Sequence, residues 1–223
     1  SKVHLVLNRS FLLVERYDRL LDAQGHWQRL HQEDFCQALG VAPEMKYQNE
    51  GGPDLAQCFD LVRRATRPSA PQVLRLFDYV IFNALIGNHD AHAKNFSLLY
   101  SDKAPVLAPF YDTLSTAVYP TLTPKMAMKI GSKYKFSEVQ ARHWDQFAEG
   151  LGLTKAQAKR RILDLAKSLP STARKLRSVP EHGFIGNAMV EQIIALIEQR
   201  CALTIRRLTD PAIDDEAACE PST

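Results

Sequence analysis

The sequence predicts an α+β fold that is mainly α-helical, with a few short strands near its start and around one polar loop. Three observations predict it. Apolar residues recur at helical spacing through 55–62 and again through 73–85. Two five-residue runs, FSLLY at 96–100 and VLAPF at 106–110, read as strands joined by the turn-rich SDKAP. The last third of the chain carries further amphipathic patterns behind capping residues.

The 223 residues are 45% apolar and 24% charged, ordinary globular usage that excludes a disordered chain. No uncharged apolar run approaches the roughly eighteen residues that cross a bilayer, and the first thirty residues lack the order of a signal peptide. The expectation is a cytoplasmic protein without a membrane partner.

In chain order, SKVHLVLNRSFLLVERYDR has no initiator Met and reads as a strand cut from something larger. A second strand near Trp27–Leu30, with Gly25 at the turn, would complete a hairpin. A helix near Gln32–Leu39 is stopped by Gly40. KYQNEGGPD at 46–54 is a loop. Leu55, Cys58, Phe59 and Val62 form one helical face behind Pro53. Val73, Leu76, Phe77, Val80, Ile81, Ala84 and Leu85 form a second behind Pro71, the central buried helix, which ends at Gly87. KMAMKI at 125–130 is a strand. Ser137 caps a helix to Gly150, Thr154 caps one to Ser168, and a last helix spans 188–207.

Four scattered cysteines (Cys36, Cys58, Cys201, Cys219) without a C-x-x-C pair read as free buried thiols. The net charge of +3 is unevenly spread. Residues 151–180 hold Lys155, Lys159, Arg160, Arg161, Lys167, Arg174, Lys175 and Arg177 against Asp164 alone. The end carries Asp210, Asp214, Asp215, Glu216 and Glu220 and reads as a solvated tail.

GNHDAHAKN at 87–95 is polar, lacks an apolar period and lies between strongly apolar segments, which marks a functional loop. A hairpin over 96–110 would bring Tyr111 and Asp112 to the same end as Asp90. Phosphoryl transfer from a nucleotide needs a carboxylate to orient and deprotonate a hydroxyl, and hard oxygen ligands for Mg²⁺. Asp90, Asn95 and Asp112 supply that set. Asp90 to Asn95 has the D-x-x-x-x-N spacing of a kinase catalytic loop, Asp112 stands where a metal-binding acid is wanted, and Lys94 could offset phosphate charge. Two other readings stay open. Asp90, Asn95 and Asp112 could be local turn or cap residues. His89 and Asp90, with His92, His31 and Asp112, could instead hold a divalent metal for phosphoester hydrolysis. The remaining histidines (His4, His26, His143, His182) read as surface or packing residues.

LLVERYDR at 12–19, EDFCQALG at 33–40, KYQNEGGPD at 46–54, GNHDAHAKNFSLLY at 87–100 and LAPFYDTLST at 107–116 together resemble the HipA family of bacterial toxin serine/threonine protein kinases, over roughly residues 10–205. The resemblance implies the C-terminal lobe of a protein-kinase-like fold, with ATP and Mg²⁺ as cofactors. It places the hinge at Glu15, Arg16 and Tyr17, with the backbones of Glu15 and Tyr17 meeting adenine. It makes Asp90 the catalytic base, puts His92, Lys94 and Asn95 on the nucleotide, and puts Asn95 and Asp112 on Mg²⁺ with Tyr111 beside them. It further implies a protein Ser/Thr substrate, with aminoacyl-tRNA synthetases the reported kind, and a HipB-like DNA-binding antitoxin.

The family's N-terminal lobe, with its phosphate-covering loop, regulatory serine and strand lysine, has no counterpart in residues 1–14. The implied organisation is a hinge strand and hairpin remnant at 1–30 leading from that lobe, a helical lobe at 31–207 holding loop 87–95 and segment 110–113, and an acidic, disordered tail at 208–223. Without the missing cradle the isolated chain is expected to bind ATP weakly. It could alternatively be a catalytically incomplete module that binds an antitoxin or a separate N-lobe. The basic stretch 155–177 has three readings: solvated helix faces, weak or indirect DNA contact beside an antitoxin, or a surface for an acidic or tRNA-bearing substrate.

Overall fold

The computed structural model describes residues 2–7, 9–101 and 104–210. Its opening stretch forms two strands where one was expected. β1 (Lys2–Val6) pairs antiparallel with β2 (Arg9–Leu13) across Leu7, which turns at φ 49°. β3 (Arg19–Leu21) pairs with β4 (Trp27–Arg29) around Gly25 at φ 82°. Each run closes on its nearest neighbour because the shorter loop loses less chain entropy than the long pairing expected from sequence.

The helix expected over 32–39 is shorter. Asp34 accepts from the Gln37 N–H while the Gln37 side chain accepts from the Asp34 N–H, a reciprocal cap that starts α1 (Phe35–Ala38) late. This leaves β5 (Gln32–Asp34) extended ahead of it. Gly40 ends the turn at φ 67°, as expected. The same reciprocal cap, Asp54 with Gln57, starts α2 (Leu55–Ala65). α3 (Ser69–Ile86) begins before Pro71, which falls in the first turn, where its missing N–H is not needed. Gly87 ends α3 at φ 77°; a Cβ there would stand 2.8 Å from Ala117 Cβ and from Leu196 Cδ2, so both the backbone and the packing require glycine.

β6 (Ser97–Leu99) and β7 (Val106–Leu107) form the expected hairpin, and β5 joins it to make a three-stranded antiparallel sheet in the order β5-β6-β7. Tyr79 of α3 stacks on Phe110 at 3.9 Å, and Gln72 of α3 accepts from the Leu107 N–H at 3.1 Å, which pins this sheet to the central helix. β8 (Lys125–Ile130) is the expected strand, paired with β9 (Lys133–Lys135). Ser137 lies in a 3₁₀ turn and caps nothing. α4 (Ala141–Gly150) starts instead behind Gln140, whose N–H donates to His143 Nδ1 at 2.9 Å.

Thr154 caps α5 (Lys155–Arg177), accepting from the Gln157 N–H. The helix does not stop at Ser168 but continues through Pro170, with the Thr172 hydroxyl bonding the Ser168 carbonyl at 3.0 Å. Contacts on both sides hold it: Ala166 is buried before the proline, and Arg174 and Arg177 reach Glu198 and Glu191 of α6 (Ala188–Thr209) after it. Tertiary partners thus outweigh a local penalty of about 3 kcal/mol.

One core joins Phe59 of α2 and Leu76, Phe77 and Ile81 of α3 to Trp144 and Phe147 of α4, Ile162 of α5 and Ile197 of α6. Cys36, Cys58 and Cys201 are buried free thiols, and burial pushes the Cys201 thiol up to about 12. Cys219 and residues 211–223 of the tail lie outside the described residues, whereas Leu208 and Thr209 are the end of α6. The basic stretch is largely neutralised within the lobe: Lys155 pairs with Glu149, Arg160 with Asp164, Arg161 with Asp78, Arg174 with Glu198 and Arg177 with Glu191. Among the described residues, no helix is long and apolar enough to cross a membrane.

Candidate functional site

Because α3 stops at Gly87, residues 88–95 leave the core as a loop that returns to it at the 3₁₀ turn Ala93–Asn95. The buried Asn88 organises this loop. Its Nδ2 donates to Asn83 Oδ1 at 2.9 Å and to the Asp112 carbonyl at 3.2 Å, and its Oδ1 accepts from the Asp90 N–H at 3.1 Å. One amide therefore ties α3, Asp90 and Asp112 together. Ser115 and Thr116 clamp the same junction, their hydroxyls reaching the Ile86 and Gly87 carbonyls.

Asp90 is half-buried at the loop's tip. Tyr47 donates its hydroxyl to Asp90 Oδ1 at 2.7 Å, and His92 Nε2 lies 3.9 Å from Oδ2. Burial, followed by the bond to Asp90, pushes the Tyr47 hydroxyl up to about 12, so it remains a proton donor at neutral pH. His92 is buried, with its ring edge-on to Tyr47 at 5.2 Å. Burial lowers its pKa against the opposing pull of Asp90, which favours the neutral ring.

Asn95 and Asp112 meet directly: Asn95 Nδ2 donates to Asp112 Oδ2 at 2.5 Å, while Asn95 Oδ1 accepts from the His92 N–H at 3.1 Å. Asp112 holds φ 54°, a left-handed backbone that is uncommon outside glycine and that Asn and Asp tolerate best. Asp112 offers an exposed carboxylate, and Asn95, which here turns its Nδ2 to that carboxylate and its Oδ1 to the His92 N–H, completes a hard oxygen pair once its amide is flipped. With phosphate oxygens and water completing the shell, it suits Mg²⁺, which commonly takes only one or two protein ligands. The residues present therefore fit Mg²⁺.

Tyr111 is half-buried, its hydroxyl donating to the Lys94 carbonyl at 2.7 Å, and burial raises its pKa. Tyr17 bonds Gln32 through its hydroxyl. Glu15 is exposed and makes no side-chain bond to the loop. Arg16 is turned away, its guanidinium forked onto Asp18 at 2.8 and 2.7 Å. Asn95, Asp112, Tyr111 and the Lys94 backbone are thus brought together, and Asp90 is tied to them through Asn88. Arg16 and Glu15 join that group at most through their backbone.

The hydrolase set does not assemble. His89 turns its Nδ1 to the Thr123 carbonyl at 3.1 Å, and His31 packs on Tyr100 at 5.1 Å, beside Glu33. Among the described residues no three His, Cys, Asp or Glu side chains converge as metal ligands. Sequence reasoning missed Tyr47 and Asn88. Only their placement beside Gly-flanked polar segments hinted at either.

Residues 1–173 match the family model described as the HipA-like C-terminal domain. The chain is 46% identical over 195 residues to Y4mE of Sinorhizobium fredii, which carries a kinase name, a match spanning 87% of this chain and 46% of that protein. It is 28% identical over 171 residues to the serine/threonine-protein kinase toxin HipA of Shewanella oneidensis, spanning 71% of this chain and 39% of the relative. It therefore spans less than half the length of either. A solved complex of the Shewanella oneidensis toxin–antitoxin system, containing HipA, HipB and operator DNA, superposes with a TM-score of 0.79 at 24% identity. That match covers 99% of this chain and 54% of the other, and it shows a shared fold: the mainly helical α+β lobe of a kinase-like protein. The chain belongs to the HipA-like C-terminal domain family.

Proposed function

We propose that this chain is the C-terminal lobe of a HipA-like serine/threonine protein kinase, which transfers the γ-phosphate of ATP to a protein hydroxyl. In this reading residues 1–30 form the hinge side and residues 31–207 the lobe with loop 87–95 and segment 110–113, which Leu208 and Thr209 extend as the end of α6. The observation that carries the reading is the junction at Asn88, through which one side chain fixes both Asp90 and the left-handed backbone of Asp112.

Asp90 is the base. Tyr47 occupies Oδ1, which leaves Oδ2 to accept the proton of the incoming hydroxyl. Asn95 and Asp112 would hold Mg²⁺, which neutralises charge on the phosphates when bound. Lys94 adds positive charge at the same loop. His92, kept neutral by burial, is available as a hydrogen-bonding group to the nucleotide. The backbones of Glu15 and Tyr17 would meet adenine, with Arg16 held aside by Asp18.

The relatives' kinase names and the toxin named HipA support this assignment. By the same resemblance the acceptor is a Ser or Thr hydroxyl of a protein such as an aminoacyl-tRNA synthetase, and the protein works in the cytoplasm. A HipB-like antitoxin is the proposed partner, since the superposed complex contains HipB and operator DNA. Any DNA contact would draw on the basic residues of the 155–177 helix, of which Lys155, Arg160, Arg161, Arg174 and Arg177 also pair with acids.

The test is transfer of labelled γ-phosphate by the full-length protein that carries this lobe. Asp90→Asn and Asp112→Asn are each expected to lower the rate by about a thousandfold or more with the melting temperature unchanged. Normal transfer in either variant refutes the assignment.

A further inference from the structure

A line of four buried or half-buried hydrogen bonds runs from the hinge to the metal pair. Tyr17 OH donates to Gln32 Oε1 at 2.8 Å, and Gln32 Nε2 donates to Ser97 Oγ at 3.1 Å. Ser97 Oγ lies 2.5 Å from Tyr111 OH, and Tyr111 OH donates to the Lys94 carbonyl at 2.7 Å. Donor counting fixes the direction of the ambiguous link. Tyr111 has one hydroxyl proton and gives it to Lys94, so Ser97 must donate to Tyr111. All four bonds then point the same way, an arrangement in which each bond polarises and strengthens the next.

The members come from four stretches of the chain, and two of them, Gln32 and Ser97, sit on the paired strands β5 and β6. Ser97 is 1% exposed, so water cannot replace a bond lost there. The line ends where it matters for the proposed chemistry. Lys94 precedes Asn95 and Tyr111 precedes Asp112, so the same two segments are joined twice: once by Tyr111 to Lys94 and once by Asn95 to Asp112. The aromatic link sets the separation at which the amide and the carboxylate face each other.

We propose that Gln32 and Ser97 are positioning residues that couple the seating of adenine at Tyr17 to the spacing of Asn95 and Asp112, so that adenine and Mg²⁺ reinforce each other's binding. The coupling rests on the kinase reading above; the positioning of the pair does not. Neither Gln32 nor Ser97 touches the nucleotide in this reading. Their effect is a linkage between two ligands, and linkage must be reciprocal.

The experiment measures Mg²⁺ binding by calorimetry to the full-length protein, saturated either with ATP or with inorganic tripolyphosphate, which lacks adenine. In the wild type Mg²⁺ is expected to bind several-fold more tightly with ATP than with tripolyphosphate. In Ser97→Ala and Gln32→Met the two affinities converge, and Ser97→Thr, which keeps a hydroxyl, restores the difference. An unchanged ratio in both disruptive variants overturns the coupling. Amide hydrogen exchange at Asn95 and Phe96, measured without nucleotide, separates the two claims. Faster exchange in Ser97→Ala supports positioning even if the wild type fails to bind ATP, an outcome that defeats the kinase reading and the coupling together. Unchanged exchange overturns positioning.

Discussion

Trp27 and Phe77 are both large aromatics, yet Trp27 is 70% exposed and Phe77 is fully buried. The contrast extends to their regions. From Phe11 to Val14 and again at Leu20 and Leu21, the N-terminal strands turn apolar side chains to solvent, and they pair only as two-stranded hairpins. Among the described side chains of residues 1–30, the only buried one is charged: Asp18, between β2 and β3, gathers Arg16, Arg19 and Arg29 around it. The helical body is the reverse, a continuous apolar core from which one polar loop emerges. The same apolar composition therefore has two roles. In the body it drives burial, while in the strands the organising force within the described residues is one ion cluster. Two-stranded hairpins bury too little to be stable alone.

Removing a core aromatic should break the contrast most forcefully. Phe77→Ala is expected to cost about 3–5 kcal/mol, read as a large drop in melting temperature, because a closely packed interior cannot fill the void. A result near zero would mean the body is not packed as described.

The ion cluster should give a smaller effect with a distinctive pH dependence. The Arg16 guanidinium, with Arg19 assisting, holds the Asp18 carboxyl down at about 2 from its ordinary 3.8. A carboxylate with a lowered folded pKa stabilises the fold fully above its ordinary value and loses that contribution as pH falls through its folded value. Between pH 5 and pH 2 the wild type should therefore lose melting temperature more steeply than Asp18→Asn. Parallel curves would remove the cluster from any organising role.

The smallest effect should come from Trp27→Ala. With most of its surface already in water, it is expected to change stability by no more than about 0.5 kcal/mol in chemical denaturation. A loss above about 2 kcal/mol would show that the strands are packed rather than exposed.

Much of this lobe was legible from local chemistry. Thr154 caps its helix, the glycines at 40 and 87 stop theirs, and the spacing of Val73 through Leu85 marks the central helix. Hairpin geometry predicted that Asp112 returns to the end of the loop that holds Asp90, since antiparallel strands bring the chain back to its starting end, and the structure joins it there to Asn95. Other features had no local signal. Gln32–Asp34 looked helical because its partner, β6, lies 65 residues away. α5 passes Pro170 because α6 supplies partners on the far side. Tyr47 reaches Asp90 across 43 residues.

The sequence by itself determined the main helices of the lobe, where the polar loop interrupts them, and which acids and amide could act there. These follow from periodicity, capping and turn chemistry, all of which act within a few residues. Only the tertiary structure decided that Asn88 joins Asp90 to Asp112, that Arg16 turns to Asp18, and that a line of hydrogen bonds ties Tyr17 to Lys94. A buried polar atom must find a partner wherever the fold brings one within reach, and distance along the chain does not reveal which one that will be.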